Sequence, residues 1–265
     1  MRDERTKREY EIILAAFLDL LDRWDNGAES LEIITDIIAH RSAFLIERVL
    51  DGMRLDFDEA LSLLRGHNDF TTAADRQRRD VLIAAIENLV DFAAAQEYSM
   101  LMELPEELEN DDWADYERIC ERYNLTWATQ ENGDVLHAVK MAAWWITLAP
   151  ETMLTFMTQG DEKVRPWHGE LEGTSYPKST FPAELIPPIE YNCRCYLVAE
   201  GYGAVVGALP KVPKEVRTPR AHPVFRESLC TGGRIFSGEH PWFSRPLPPK
   251  LQKVVRDIKH KFHLR

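Results

Sequence analysis

Asp161, Arg165, His168, Asn192, Cys193 and Cys195 all fall within the forty residues Thr158–Leu197, a Pro-rich stretch that closes on Asn-Cys-Arg-Cys. Thiolate and imidazole are the ligands zinc prefers, so His168, Cys193 and Cys195 form a candidate metal set that still needs a fourth ligand, for which Asp161 is a candidate. His168-Gly169-Glu170 also has the His-x-Glu form of zinc deaminases, in which the Glu moves protons. That chemistry expects Pro-Cys-x-x-Cys at a helix start, whereas this pair is Cys-x-Cys between Tyr191 and Tyr196. In a strand, residues two apart share a face, so both sulfurs can still meet one ion. A Cys193–His168 thiolate–imidazolium pair is a second chemistry, but no orienting third group or oxyanion donor is legible. A third reading needs no chemistry. A segment with few regular elements must satisfy its backbone through side chains, so Asp161 after Gly160 makes a turn, Arg165 bridges carbonyls or carboxylates, Asn192 caps a turn and His168 fixes a backbone group.

The elements that must position these residues change character along the chain. In Thr6–Asp25 the apolar residues Tyr10, Ile13, Leu14, Phe17, Leu18 and Leu21 recur at three- and four-residue steps and predict a helix ended by Asn26-Gly27. Ser30 is read as the N-cap of a second helix to Leu50, stopped by Asp51-Gly52. Further helices are expected over Asp56–Leu64 with Gly66 as terminator, over Thr72–Met102, over Asp112–Tyr123, and over Asp134–Leu148 after an Asn132-Gly133 turn. Trp144 and Trp145 read as packing residues, and Cys120 and Cys230 as small buried or half-buried ones. Beyond Pro150 the helical period gives way to Pro, Gly, Thr and aromatic residues, with Met153–Thr158 and Cys195–Ala199 as short strands. Residues 203–250 read as an extended Pro-rich arm, and Leu251–His263 as a short basic helix whose apolar stripe must dock on something. The expected fold is therefore mainly α with a small α+β C-terminal domain: a helical domain over 1–149, an irregular Pro-rich domain over 150–206, and a basic arm over 207–265.

With 265 residues the chain can bury a sizeable core. No apolar run reaches the roughly 20 residues of a membrane span, and the charged start MRDERTKREYE is unlike a secretory signal. Four cysteines do not make a disulfide scaffold and suit a reducing compartment. The net charge of −12 hides an asymmetry, because residues 207–265 carry 13 Lys/Arg against 4 Asp/Glu. An acidic body with a basic tail implies different neighbours for the two parts.

The motif itself is specific. Gly160-Asp161, Val164-Arg165, His168, Leu171 and Gly173, followed by Pro187-Pro188 and Asn192-Cys193-Arg194-Cys195, resemble the signature of the phage Mu F-like minor head proteins. The likeness covers about residues 150–200. It implies a virion protein of a tailed phage or prophage, incorporated in few copies during head morphogenesis, associated with the portal or the major capsid protein, and present in the host cytoplasm during assembly. It implies no enzyme, no catalytic residue and no cofactor. The 207–265 arm then becomes a candidate contact for packaged DNA. The rival is a zinc-dependent enzyme or effector centred on His168, Glu170, Cys193 and Cys195.

Overall fold

The computed structural model describes residues 4–24, 27–66, 72–105, 107–108, 113–199, 221–262 and 264. It is mainly helical, with one small antiparallel sheet in the C-terminal half. The helices are α1 (Glu4–Asp22), α2 (Gly27–Met53), α3 (Phe57–Arg65), α4 (Ala73–Leu101), α5 (Trp113–Glu121) and α6 (Ala128–Trp145), then the short α7 (Pro166–Leu171) and the terminal α8 (Pro249–Lys261). No helix among the described residues is long and apolar enough to cross a membrane. Asp25, Asn26, Asp112 and His263, placed at helix ends by the sequence pattern, lie outside the described residues.

Two helix starts follow the sequence expectation. Asp56 and Thr72 accept from the backbone N–H of Glu59 and Asp75, whose own side chains reach back to the cap N–H, so each closes a reciprocal capping box. Gly66 ends α3 as expected. Two expected boundaries, at Ser30 and at Asn132-Gly133, fall inside helices. Ser30 lies inside α2 and donates its hydroxyl to the carbonyl of Arg23, so it ties two helices together rather than capping one. The stop expected at Asp51-Gly52 is met, because α2 closes at Met53 before Arg54 takes a φ of 55°; Gly52 faces Val139 of α6, where a Cβ would sit 2.7 Å from the Val139 side chain. Asn132-Gly133 lies within α6, because the Asn132 amide is satisfied in the core. It accepts from Arg41 at 2.8 Å and donates to Thr6 at 3.0 Å. Residues 113–145 therefore form one helical run, widened into a π-type turn over Arg122–Trp127.

α2 is the hub, packed against α1, α4 and α6. At its centre Arg41 is fully buried and bonds Gln96 of α4 at 2.7 Å and Glu131 of α6 at 3.2 Å. Glu131 also accepts from Gln96 at 2.7 Å and from the Trp242 indole at 2.9 Å. A buried guanidinium is stable only when its donors are matched in this way.

The expected extended arm over 203–250 is corrected for residues 221–250. Val224, Phe225, Leu229, Ile235, Phe236, Leu251, Val254, Val255 and Ile258 are buried in the same core as Leu82, Leu89 and Phe92 of α4. Proline density misleads here because three short 3-10 turns, at Pro223–Phe225, Leu229–Thr231 and Pro241–Ser244, fold the segment without long helices or strands. Asn88 of α4 anchors it, accepting from the N–H groups of Ile235 and Phe236 at 3.0 Å each and donating to the Phe236 carbonyl at 2.9 Å. α8 docks as its apolar stripe requires. Residues 200–220, which include the start of the basic arm, lie outside the described residues.

The sheet has β1 (Met153–Met157) at its centre, flanked by β2 (Ser175–Pro177) and β3 (Tyr196–Ala199), all antiparallel. β1 and β3 match the sequence reading and β2 is an addition, too short to leave a period. Phe156 lies opposite Leu197, and Leu154 opposite Ala199. These four side chains and Trp145 of α6 share one buried cluster, so the sheet packs onto the end of the last long helix. Trp144 packs at the edge of that cluster, as expected of both tryptophans.

Candidate functional site

The motif segment leaves β1, turns at Gly160 (φ 67°), runs through α7 and β2, and returns along 186–195 into β3. Its two ends meet. Asp161 accepts the backbone N–H of Lys163 at 3.1 Å, the expected turn, and receives both nitrogens of the Arg194 guanidinium at 2.7 and 2.6 Å. That fork holds the Asp161 carboxyl below its ordinary range, with the Arg194 hydrogen bond the largest cause. Gln159 adds a bond from its amide to the Arg194 carbonyl at 2.9 Å.

Asn-Cys-Arg-Cys has a clear division of labour. Asn192 takes the left-handed conformation (φ 55°), which Asn tolerates better than most residues, and redirects the chain. Its N–H donates to Asp134 at 2.9 Å and its amide donates to Gln130 at 2.9 Å, so the turn is pinned to α6. Beyond it the side chains alternate. Cys193 and Cys195 point into the core, while Arg194 points out to Asp161. His137 of α6 donates from Nδ1 to the Cys193 carbonyl at 2.8 Å, which fixes that end of the pair.

α7 brings His168 to the sulfurs. Pro166 at its first turn costs no helical hydrogen bond there, and a two-turn helix suffices to bury His168 and Leu171 on one side. His168 Nδ1 lies 3.2 Å from Cys195 Sγ, and its Nε2 lies 3.2 Å from Glu190 Oε2. The same Glu190 oxygen accepts the Trp167 indole N–H at 3.1 Å and lies 3.2 Å from Arg165 Nε. With an arginine and an indole both donating to that carboxylate, His168 Nε2 donates to it too, and this bond turns Nδ1 toward the sulfurs. Arg165 also donates to the Tyr191 carbonyl at 2.7 Å, the bridging expected of it.

His168, Cys193 and Cys195 are 2 %, 4 % and 3 % exposed, and their donor atoms all lie within 4.8 Å of one another. Both cysteines are free thiols. The Cys193 thiol is drawn well below its ordinary range, chiefly by the hydrogen bond from Cys195, and Cys195 is pushed up chiefly by donating that hydrogen bond, then by burial and by the charge of Cys193 beside it. Behind them, burial raises the Asp134 carboxyl to about 8, against the bond it accepts from the Asn192 N–H.

The structure therefore gathers all six residues named from the sequence into one unit, but not into one centre. His168, Cys193 and Cys195 meet; Asp161, Arg165 and Asn192 fasten the backbone around them, and Asp161 supplies no fourth ligand because it is held at the surface by Arg194. His168 bonds side chains rather than the backbone group expected of it. Glu170 is exposed on α7, two residues and more than half a helical turn past His168, and is not part of the cluster. The carboxylate that does reach the imidazole is Glu190, which the sequence pattern missed. Its one signal was its place, three residues before Cys193 and just after Pro187-Pro188.

The cavity beside the cluster, bounded by His168, Cys195, Arg165 and Asn192, holds about 10 Å³, room for about one water. A larger cleft of about 400 Å³ lies elsewhere, lined by Asp80, Trp145, Ile146, Lys178, Leu229 and Cys230, and contains none of the motif residues. Compared with protein-family models, curated proteins and solved structures, the chain matches none, so the likeness to the Mu F-like pattern rests on the motif residues themselves.

Proposed function

We propose that the chain is a minor head protein of a tailed phage or prophage, built into the head in few copies and contacting the portal or the major capsid protein. What supports this reading is that the motif residues are spent on one another. Arg194 holds Asp161, Arg165 holds Glu190 and the Tyr191 carbonyl, Asn192 is pinned to α6, and His168 contacts Cys195 directly beside a cavity the size of one water. A catalytic pocket needs room for substrate beside its reacting groups, commonly several hundred Å³. A clasp needs only closure. The rival reading, a metal-dependent enzyme using His168, Glu170, Cys193 and Cys195, loses its general base because Glu170 faces solvent.

α8 carries Lys250, Lys253, Arg256 and Lys261 on its exposed side while its apolar stripe is buried. Such a face suits packaged DNA or an acidic protein surface. Co-expression with the portal and capsid proteins of the same phage genome, followed by sedimentation, tests the assignment. The chain is expected to co-sediment with portal-containing assemblies, and its complete exclusion from them would contradict the proposal. Charge reversal at Lys250, Lys253 and Arg256 tests the DNA contact separately, with lower DNA retention in heads expected and unchanged retention counting against it.

A further inference from the structure

We propose that His168 Nδ1 and the sulfurs of Cys193 and Cys195 hold one zinc ion that locks the two ends of the motif segment together. The inference is independent of the virion reading, because a structural ion of this kind serves any role the segment has. Tetrahedral zinc, with bonds of about 2.3 Å to sulfur and about 2.0–2.1 Å to nitrogen, sets its ligand atoms roughly 3.5–3.8 Å apart. The three donor atoms here lie within 4.8 Å of one another, with Nδ1 and Cys195 Sγ already at 3.2 Å. Small side-chain adjustments bring all three to one ion with no change of backbone.

The surroundings are prepared for a ligand rather than for a filler. A histidine that binds zinc commonly donates its other N–H to a carboxylate, which fixes the ring and strengthens the ligand nitrogen. Glu190 does this for His168, and Glu190 is itself held by Trp167 and Arg165. The sulfurs are placed as firmly: Asn192 is bonded to α6 on one side, Arg194 to Asp161 between them, and the Cys193 carbonyl to His137. A core that needed only small apolar bodies would accept alanine or valine at these positions, with no histidine and no supporting carboxylate.

The donor set selects the ion. Two thiolates and an imidazole favour zinc over magnesium or calcium, which take oxygen ligands. Zinc with two thiolates and a neutral imidazole carries no net charge, which suits a cluster surrounded by Leu154, Phe156, Ile189 and Leu197. No fourth His, Cys, Asp or Glu joins the group among the described residues. The cavity of about 10 Å³ that His168 and Cys195 both line has room for one water at the remaining position. The ion would therefore act as a clasp, tying α7 to the strand entry at 193–195.

The test is metal analysis and native mass spectrometry of the full chain, freshly reduced and supplied with zinc. About one tightly held zinc per chain is expected for the wild type. His168→Gln, Cys193→Ser and Cys195→Ser should each lose it, and Glu190→Gln should keep it with about 10–100-fold weaker affinity in chelator competition. Cobalt(II) loading of the wild-type chain gives a readout that does not depend on the variants folding. Intense visible bands of a tetrahedral ion and a near-ultraviolet thiolate-to-cobalt band are expected. A reduced wild-type chain that takes up neither zinc nor cobalt would overturn the proposal, as would unchanged zinc in folded Cys193→Ser. Either result leaves the virion reading to stand or fall on sedimentation.

Discussion

The Arg41 network and the 158–195 segment both bury polar groups, but the first draws residues from five separate elements and the second mainly from one stretch of chain, tied to α6 through Gln130, Asp134 and His137. Thr6, Arg41, Gln96, Glu131, Asn132 and Trp242 come from α1, α2, α4, α6 and the Pro241–Ser244 turn. Asp161, His168, Glu190, Cys195 and Arg194 come from a single excursion off β1. A dispersed knot fastens the helices to one another, so its loss is felt by the whole fold. A local knot shapes a short irregular segment and leaves the helices standing. The two knots meet at α6, which carries Glu131 and Asn132 of the first and the Asp134 and His137 partners of the second.

The largest expected effect lies in the dispersed knot. Arg41→Met leaves Glu131 buried without its cation and should lower stability by about 3–5 kcal/mol in denaturant unfolding. A loss under about 1 kcal/mol would mean the helices do not depend on this network. Asn88→Ala comes next. It strands the N–H and C=O groups of the 235–236 turn and should cost about 1–3 kcal/mol, with faster amide exchange across 221–262 than across α2. Equal exchange in both would show that the C-terminal segment is not held as described.

Asp134 belongs to both regions, and its effect is intermediate and dependent on pH. Its folded-state carboxyl sits near 8, raised by burial, against an ordinary value of 3.8, with Glu131, Cys193 and Arg165 as its charged neighbours. Between about pH 4 and 8 the native state therefore holds a proton that the unfolded chain has lost, so stability falls as pH rises through that window. Asp134→Asn keeps an oxygen for the Asn192 N–H and should flatten this slope. A residual decline between about 4.5 and 7 is expected from Glu97, which burial raises to about 7. An unchanged slope in Asp134→Asn would assign the effect elsewhere. The smallest effect is expected at Asp161→Asn, where both partners of the Arg194 fork are exposed. The unfolding midpoint should barely move, while exchange of the 159–165 amides rises.

The sequence revealed most where structure is decided locally. The helix starts at Asp56 and Thr72 and the strands at 153–157 and 196–199 follow from neighbours a few residues apart. His168 and the Cys193/Cys195 pair, about 25 residues apart, are grouped by their shared ligand chemistry. It misled where a distant partner decides. Asn132 is a turn residue until Arg41 and Thr6 satisfy its amide inside a helix. The prolines after 203 suggested an open arm, but apolar residues without helical or strand period, such as Val224, Ile235 and Phe236, are a core signal that pattern reading does not weigh. Glu190 was missed for a similar reason, since its partners Trp167 and His168 are more than twenty residues away.

The central claim is that the clasp belongs to a protein of the phage head. Quantitative mass spectrometry of phage particles purified from cultures that express the chain tests it most directly. The account predicts the protein in mature virions at few copies per portal. Its complete absence from virions, with portal and capsid proteins present, would contradict it.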